Sequence, residues 1–428
     1  MSTREEIQQQ VFDNADRHVE LLRSGVEASF EDVGTFQEWV VDRLELLGAS
    51  TEQFTLSHVD LKDHPAFEER LKSNPESLRF GTNVVGELPG DGASKTLLFA
   101  HADKSPESYR YVAAGHGVDF DGNRLRAPGI ADDVSGITAA IGAIKALAEE
   151  GLEPATSVMV ASILGKQLGV GGTYGLMQRH GPADAAVYTH PAESGQGLND
   201  LKVGSNGLYE FVVELEGTAP PTSEVHHPLY AHQGVNPLDA ATAVTEQLHD
   251  WTDELATRYA HSGVEQAAGT SAGLLVSDVS VTDTERPVYQ MPSSCTVRAV
   301  LAFPPGVSLN TVEGELREVV SRTAAETGVS GVSVRRGDHV ADSAAAPEDT
   351  PAVQTAVQSI DCVTGRPPEF YYGHTASDIR YPMQYWDAPT VGFGPRAGAM
   401  GEPDEWVDRE EYLETVSALA TFLFEFTP

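Results

Sequence analysis

The sequence predicts an α/β protein: a domain built on a mostly parallel central sheet, interrupted by a smaller inserted α+β domain. Three observations lead there. Strand-like and helix-like segments alternate between about residues 82 and 188. Near Tyr209 the pattern changes to long strands separated by long helices. Beyond about residue 349 the first pattern returns. At ~100–200 residues per domain, the 428 residues suffice for two. Hydrophobic residues make up 40%, enough to give each a core.

Residues 5–49 read as two helices, because apolar positions recur at helical spacing through Phe12, Val19 and Leu22 and again through Phe36, Val40 and Leu44. Gly48 stops the second. Residues 83–88 form a short strand, and 96–100 a buried strand that ends at His101. A helix with an Ala/Ile face covers 135–149, a buried strand 156–163, a helix 174–179 and a strand 185–188. The first domain is therefore expected over 1–205 and 338–428. The inserted domain, 206–337, carries strands at 209–215 and 295–301 and helices at 238–255 and 309–326. The acidic, Ala-rich stretch 338–349 reads as the return linker, followed by a strand at 390–394 and a closing helix from Asp408.

Two segments carry chemistry. Phe99-Ala100-His101-Ala102-Asp103 places a His and an Asp at the C-terminal end of a parallel strand, where open α/β sheets bind ligands. A His there can ligate a metal while a nearby carboxylate orients its ring. Gly129-Ile130-Ala131-Asp132-Asp133-Val134-Ser135-Gly136 opens a helix, where a carboxylate can reach a metal or simply cap the helix.

Together these segments resemble the co-catalytic zinc peptidase family of glutamate carboxypeptidases, aminoacylases, acetylornithine deacetylases and succinyl-diaminopimelate desuccinylases. The segments 227–237, 375–380, 391–395 and 403–407 are similar as well. The resemblance implies a catalytic α/β domain with an inserted lid and dimerisation domain. It makes His101 a ligand of one zinc, Asp132 the bridging carboxylate and Asp103 the residue that orients His101. It also implies that His227, in the lid, helps bind a substrate oxyanion, with Asn236 in the same segment. His374 is expected on the substrate side, and by spacing alone His374 or Glu402 offers a further metal ligand. Where the family has an adjacent Glu-Glu pair, base then ligand, this chain has Lys166-Gln167. The next acidic ligand position falls on His190, and the final His ligand on Gly401 or its neighbours. A lysine is cationic at neutral pH and is repelled by Zn²⁺, but pairs well with Asp132 or Asp133. The expected cofactor content is therefore none or one zinc or other divalent ion, held by His101, Asp132 and His190 with water in the fourth position. Two readings follow. One is a binding or interaction protein for a peptide or N-acyl amino acid-like molecule, homodimeric through the lid domain. The other is a mononuclear metal-dependent amidohydrolase or peptidase.

The charge balance narrows the partners. Asp and Glu total 64 against 28 Lys and Arg, a net charge of −36. Nucleic acid and anionic membranes are repelled by such a surface. The sequence shows no apolar run of membrane-spanning length, and the opening residues MSTREEIQQQ are polar, unlike a secretory signal. A cytoplasmic location is expected. Cys295 and Cys362 are too few for a disulfide framework or a cysteine-rich metal site. The acids are spread along the chain, so their repulsion is screened only at high salt, over ~3 Å at 1 M. Adaptation to molar salt is the expectation. The melting temperature should rise as KCl is raised to molar concentration; equal stability at low and molar salt would end that reading.

Overall fold

The computed structural model describes residues 3–64, 67, 71–72, 80–90, 94–166 and 171–428. The Gln167 position lies outside them. The described residues fall into two compact units. The larger comprises the chain up to His64, Leu71–Gly204 and Ala345–Pro428, and the other comprises Ser205–Ala344.

In the larger unit eight strands form one sheet, in the order Ser50–Thr55, Thr82–Leu88, Ser157–Ile163, Lys95–His101, Ala185–Tyr188, Thr390–Gly392, Asp200–Lys202 and Glu369–Tyr371. The four strands at its centre run parallel to one another. They are buried along nearly their whole length, as expected for strands covered on both faces. Residues 3–46 form three helices rather than two: Thr3–Asp13, Ala15–Glu31 and Val33–Leu46. Asp32 divides the last two by accepting the Thr35 N–H at 2.8 Å, a helix-capping role that periodicity does not reveal. Helices Ser135–Glu149 and Arg409–Glu425 pack together, and the Tyr412 hydroxyl donates to Thr138 Oγ1 at 3.1 Å between them.

Glycine sets how closely one helix start approaches a strand end beside the site. A Cβ at Gly136 would lie 1.7 Å from the Thr189 carbonyl oxygen. Only hydrogen fits there, so the start of the Ser135–Glu149 helix comes against the chain just past the Ala185–Tyr188 strand. That contact brings the Asp132 loop and the His190 segment together.

The other unit has a four-stranded antiparallel sheet ordered Gly273–Val281, Ser294–Phe303, Gly207–Glu216 and Gly331–Ala341. Alternate residues Tyr209, Phe211, Val213 and Leu215 face a core completed by Leu248 and Leu255 of helix Pro237–Arg258 and Val312 and Leu316 of helix Leu309–Thr327. Residues 338–341, expected in the return linker, instead continue the Gly331–Ala341 strand, because Val340 and Ala341 pair with Tyr209 and Leu208. Cys295 and Cys362 are both free thiols.

His18 is 1% exposed and neither ring nitrogen has a hydrogen-bond partner among the described residues. Burial, with a smaller push from Lys145, holds its pKa down at about 4. In the unfolded chain the ring takes its proton near 6.5, in the fold only near 4. The unfolded state therefore binds more protons between these values, and stability rises with pH across that window. Urea titrations should show full His18-dependent stability above about pH 6.5 and a loss of up to ~3 kcal/mol on approaching pH 4. His18→Leu should flatten that part of the profile.

Candidate functional site

The Lys95–His101 strand delivers His101 at its C-terminal end, buried at 1% exposure. Its Nδ1–H donates to the backbone carbonyl of Asp103 at 2.8 Å, a contact that sets the ring and turns Nε2 toward Asp132 Oδ1, 2.7 Å away. The sequence expectation gave the orienting role to the Asp103 carboxylate. That group lies 3.6 Å from His101 Nδ1 and accepts the Gly165 N–H at 3.0 Å, anchoring the turn that carries Lys166. Gly165 adopts a positive φ of 121°, which favours glycine there.

Asp132 sits in the turn Ile130–Val134, entered through Gly129 in the left-handed conformation; the Asp132–Asp133 peptide is cis. The turn is tied down from behind by Glu405, which is wholly buried. Its carboxylate accepts the N–H groups of Gly129, Ala131, Asp132 and Gly401, at 3.1, 2.6, 3.0 and 3.0 Å. Burial pushes Glu405 up to about 7 against the pull of these donors. The segment 399–402, expected in place of the family's last His ligand, holds no histidine. What Gly401 contributes is a backbone N–H to Glu405.

Around Asp132 Oδ1 converge His101 Nε2 at 2.7 Å, His190 Nε2 at 2.9 Å and Lys166 Nζ at 3.3 Å. Lys166 Nζ also lies 2.9 Å from His190 Nε2. Burial opposes every charge in this cluster. The Lys166 ammonium and the His101 ring outweigh it at Asp132 and hold that carboxyl well below its ordinary range. Asp132 in turn overcomes burial to raise Lys166 and to lift His101 to about 10. His190 goes the other way: burial, then Lys166 and Lys202, hold it neutral, far below the usual imidazole range. Asp133 is pushed well upward by burial, and its Oδ1 has no partner among the described residues.

A second layer lies behind His190. Lys202, 0% exposed, ends the Asp200–Lys202 strand with its Nζ 3.0 Å from Glu193 Oε1 and 3.2 Å from the Pro191 carbonyl. Glu193 Oε1 also accepts from His374 Nδ1 at 2.7 Å. Sequence reasoning missed Lys202, Glu193 and Glu405. A Lys at a strand end and a Glu after a Pro-Asp pair look like solvated residues until the fold buries them.

The remaining expected site residues belong to the other unit. His227 is 4% exposed, donates from Nδ1 to the Thr222 carbonyl at 2.7 Å and accepts the Met291 N–H at Nε2 at 3.1 Å. Both nitrogens are engaged, so in this arrangement the ring has none left for an oxyanion. Asn236 caps helix Pro237–Arg258, its Oδ1 accepting the Leu238 N–H at 3.2 Å.

Two of these observations bear on metals. His101, Asp132 and His190 offer ligand atoms within 4.8 Å of one another. Both rings carry Nδ1–H to a backbone carbonyl, which leaves Nε2 as the lone-pair nitrogen that a metal needs once His101 loses its extra proton. These three donors fit one divalent ion if the Lys166 side chain swings away. Lys166 Nζ, 3.3 Å from Asp132 Oδ1, and Gly401, which has no side chain, add no donor to these three.

The model of peptidase family M20/M25/M40 matches residues 97–425. The chain belongs to this family. Among characterised relatives, it is 26% identical to the succinyl-diaminopimelate desuccinylase of Gluconacetobacter diazotrophicus over 302 residues, 69% of this chain and 71% of that one. It is 27% identical to carboxypeptidase G2 of Pseudomonas sp. (strain RS-16) over 149 residues, only 35% of each chain. The fold matches the aminopeptidase PepT of Bacillus cereus with a TM-score of 0.69 at 15% identity, covering 98% of both chains. It also matches the Bacillus subtilis YXEP protein, described as a dinuclear metal-binding M20 peptidase, with a TM-score of 0.59 at 12% identity, over 96% of this chain and 99% of that one.

Glu405→Ala should cost at least about 3 kcal/mol, since it leaves two buried and two part-buried N–H groups without their acceptor. Hydrogen exchange should locate the damage, with faster exchange at Gly129, Ala131, Asp132 and Gly401, while Glu405→Gln keeps part of the protection. Unchanged exchange at these amides would remove the anchoring role.

Proposed function

We propose that this M20-family protein binds a peptide or N-acyl amino acid-like molecule at the end of its central sheet without two-metal hydrolysis. The observation that carries this reading is the Lys166 ammonium, 3.3 Å from Asp132 and 2.9 Å from His190. It supplies one positive charge to the carboxylate that a bridging ion would otherwise neutralise. A protonated lysine cannot take a proton from water, so the base position carries no base. His101 adds a second positive charge, so Asp132 is neutralised without a metal.

A second reading keeps catalysis: a mononuclear metal-dependent amidohydrolase or peptidase using His101, Asp132 and His190. The grouping of their ligand atoms and the orientation of both rings favour it. A bound zinc or other divalent ion would supply a Lewis acid and an activated water. In that state Lys166 moves off His190, and the Asp103 and Pro191 carbonyls keep the two rings in ligating orientation.

The expected assembly is a homodimer through the inserted unit, whose edge strand Gly273–Val281 exposes Leu275 and Val279. No described helix is long and apolar enough to cross a membrane. A cytoplasmic protein with no nucleic-acid partner remains our reading of its acidic surface.

Metal analysis of the purified protein should find at most one divalent ion per chain. Dipeptides and N-acyl amino acids should bind, as read by calorimetry, and remain uncleaved with or without added Zn²⁺, Co²⁺ or Mn²⁺. Lys166→Met should tighten Zn²⁺ binding by at least about tenfold, because the competing ammonium is gone. Two ions per chain together with chelator-sensitive turnover would overturn the first reading. One ion with turnover would establish the second.

A further inference from the structure

The second layer behind His190 has a defined proton arrangement. A backbone carbonyl only accepts, so the 2.7 Å contact between His190 Nδ1 and the Pro191 oxygen places a proton on that nitrogen. Glu193 Oε1 lies 3.0 Å from the Lys202 ammonium and is the accepting side of that ion pair. Its 2.7 Å contact with His374 Nδ1 therefore places a proton there too. Lys202 Nζ lies 3.2 Å from His190 Nδ1 and 3.3 Å from His374 Nδ1, and directs its own protons to Glu193 and Pro191. Three donors thus share two acceptors, and each neutral ring is left with its lone pair on Nε2.

The two lone pairs differ in what they meet. His190 Nε2 is occupied on both sides, 2.9 Å from Lys166 Nζ and 2.9 Å from Asp132 Oδ1. His374 Nε2 has no hydrogen-bond partner among the described residues, and its side chain keeps 12% exposure. The two rings stand 6.0 Å apart between centroids. We infer that His374, held by the buried Glu193–Lys202 pair, is the acceptor for the N–H of a ligand's secondary amide. Nothing in the family match assigns such a role to Glu193 or Lys202, and the inference rests on the reading of the site as one for peptides or N-acyl amino acids.

The local field selects the donor. Burial, then Lys202 and Lys166 against the pull of Glu193, hold His374 down at about 4, so the ring accepts a hydrogen bond near neutral pH without taking the proton. A free amine would bring a third positive charge beside two buried ammonium groups. An amide N–H brings none, and the carbonyl oxygen of the same amide is drawn to the positive side of the site at Lys166. Glu193 and Lys202 act through the ring, as positioning residues.

The test is a double-mutant cycle with glycyl-L-leucine and N-acetyl-L-leucine, each compared with its amide-N-methylated form by calorimetry. Methylation should weaken binding to the wild type about tenfold, the size of one hydrogen bond whose acceptor is left unpaired. In His374→Ala the methylated and unmethylated probes should bind alike; an equal methylation penalty in both proteins would overturn the inference. A second readout needs no ligand. ¹⁵N NMR of the wild type near neutral pH should show His374 as the Nδ1–H tautomer, and Glu193→Gln should shift it toward Nε2–H. An Nε2–H ring in the wild type would sink the assignment, whereas failure of every probe to bind alongside an Nδ1–H ring would sink the binding reading and leave the ring's geometry standing.

Discussion

Asp132 is a carboxylate removed from most of its water at the end of a buried parallel sheet, and it has to be balanced by positive charge. An isolated buried carboxylate would take a proton instead. Here the His101 imidazolium and the Lys166 ammonium supply the balance from within the chain. Much of the neighbouring architecture serves this one group. Glu405 fixes its turn through four N–H bonds, Asp103 fixes the turn bearing Lys166, and Gly136 allows the turn to approach the His190 segment.

The same balance recurs one layer further in. Lys202 and Glu193 form an ion pair below His190 and His374, so positive and negative groups alternate from Lys166 inward. Such an arrangement is stable only when complete, since removing one partner leaves a charge buried and unpaired. It explains why His190 and His374 can both remain neutral among ammonium groups: their protons sit on Nδ1, bonded to oxygen acceptors, and burial resists any second proton.

Membership of peptidase family M20/M25/M40 establishes the fold and a range of related chemistry, while the reaction depends on a few side chains. On the function proposed above, Lys166 puts a cation where a base would be needed, while the imidazoles beside it keep their orientation.

The alternation of buried strands and helices, the change of character near Tyr209 and the His101, Asp132 and His190 positions were legible in the sequence, because burial and motif spacing are local properties. Lys166 was legible as a charge reversal beside Asp132. Asp103 was legible as a partner of His101, but only the structure separates its carbonyl, which holds the ring, from its carboxylate, which holds the Lys166 turn. The strand through residues 338–341 was hidden because acidic and small residues suit a linker, and only pairing with Leu208 and Tyr209 makes them a strand. Lys202, Glu193 and Glu405 were hidden for a related reason. A charged side chain is solvated in any local reading, and its burial depends on partners that lie far away in sequence, such as Glu405 against Asp132 or His374 against Glu193. The sequence by itself determined the fold class and the residue types at the site. The tertiary structure decided which charges are buried, which atoms neutralise them and which nitrogen of each ring carries the proton, because those depend on distances that no local pattern encodes.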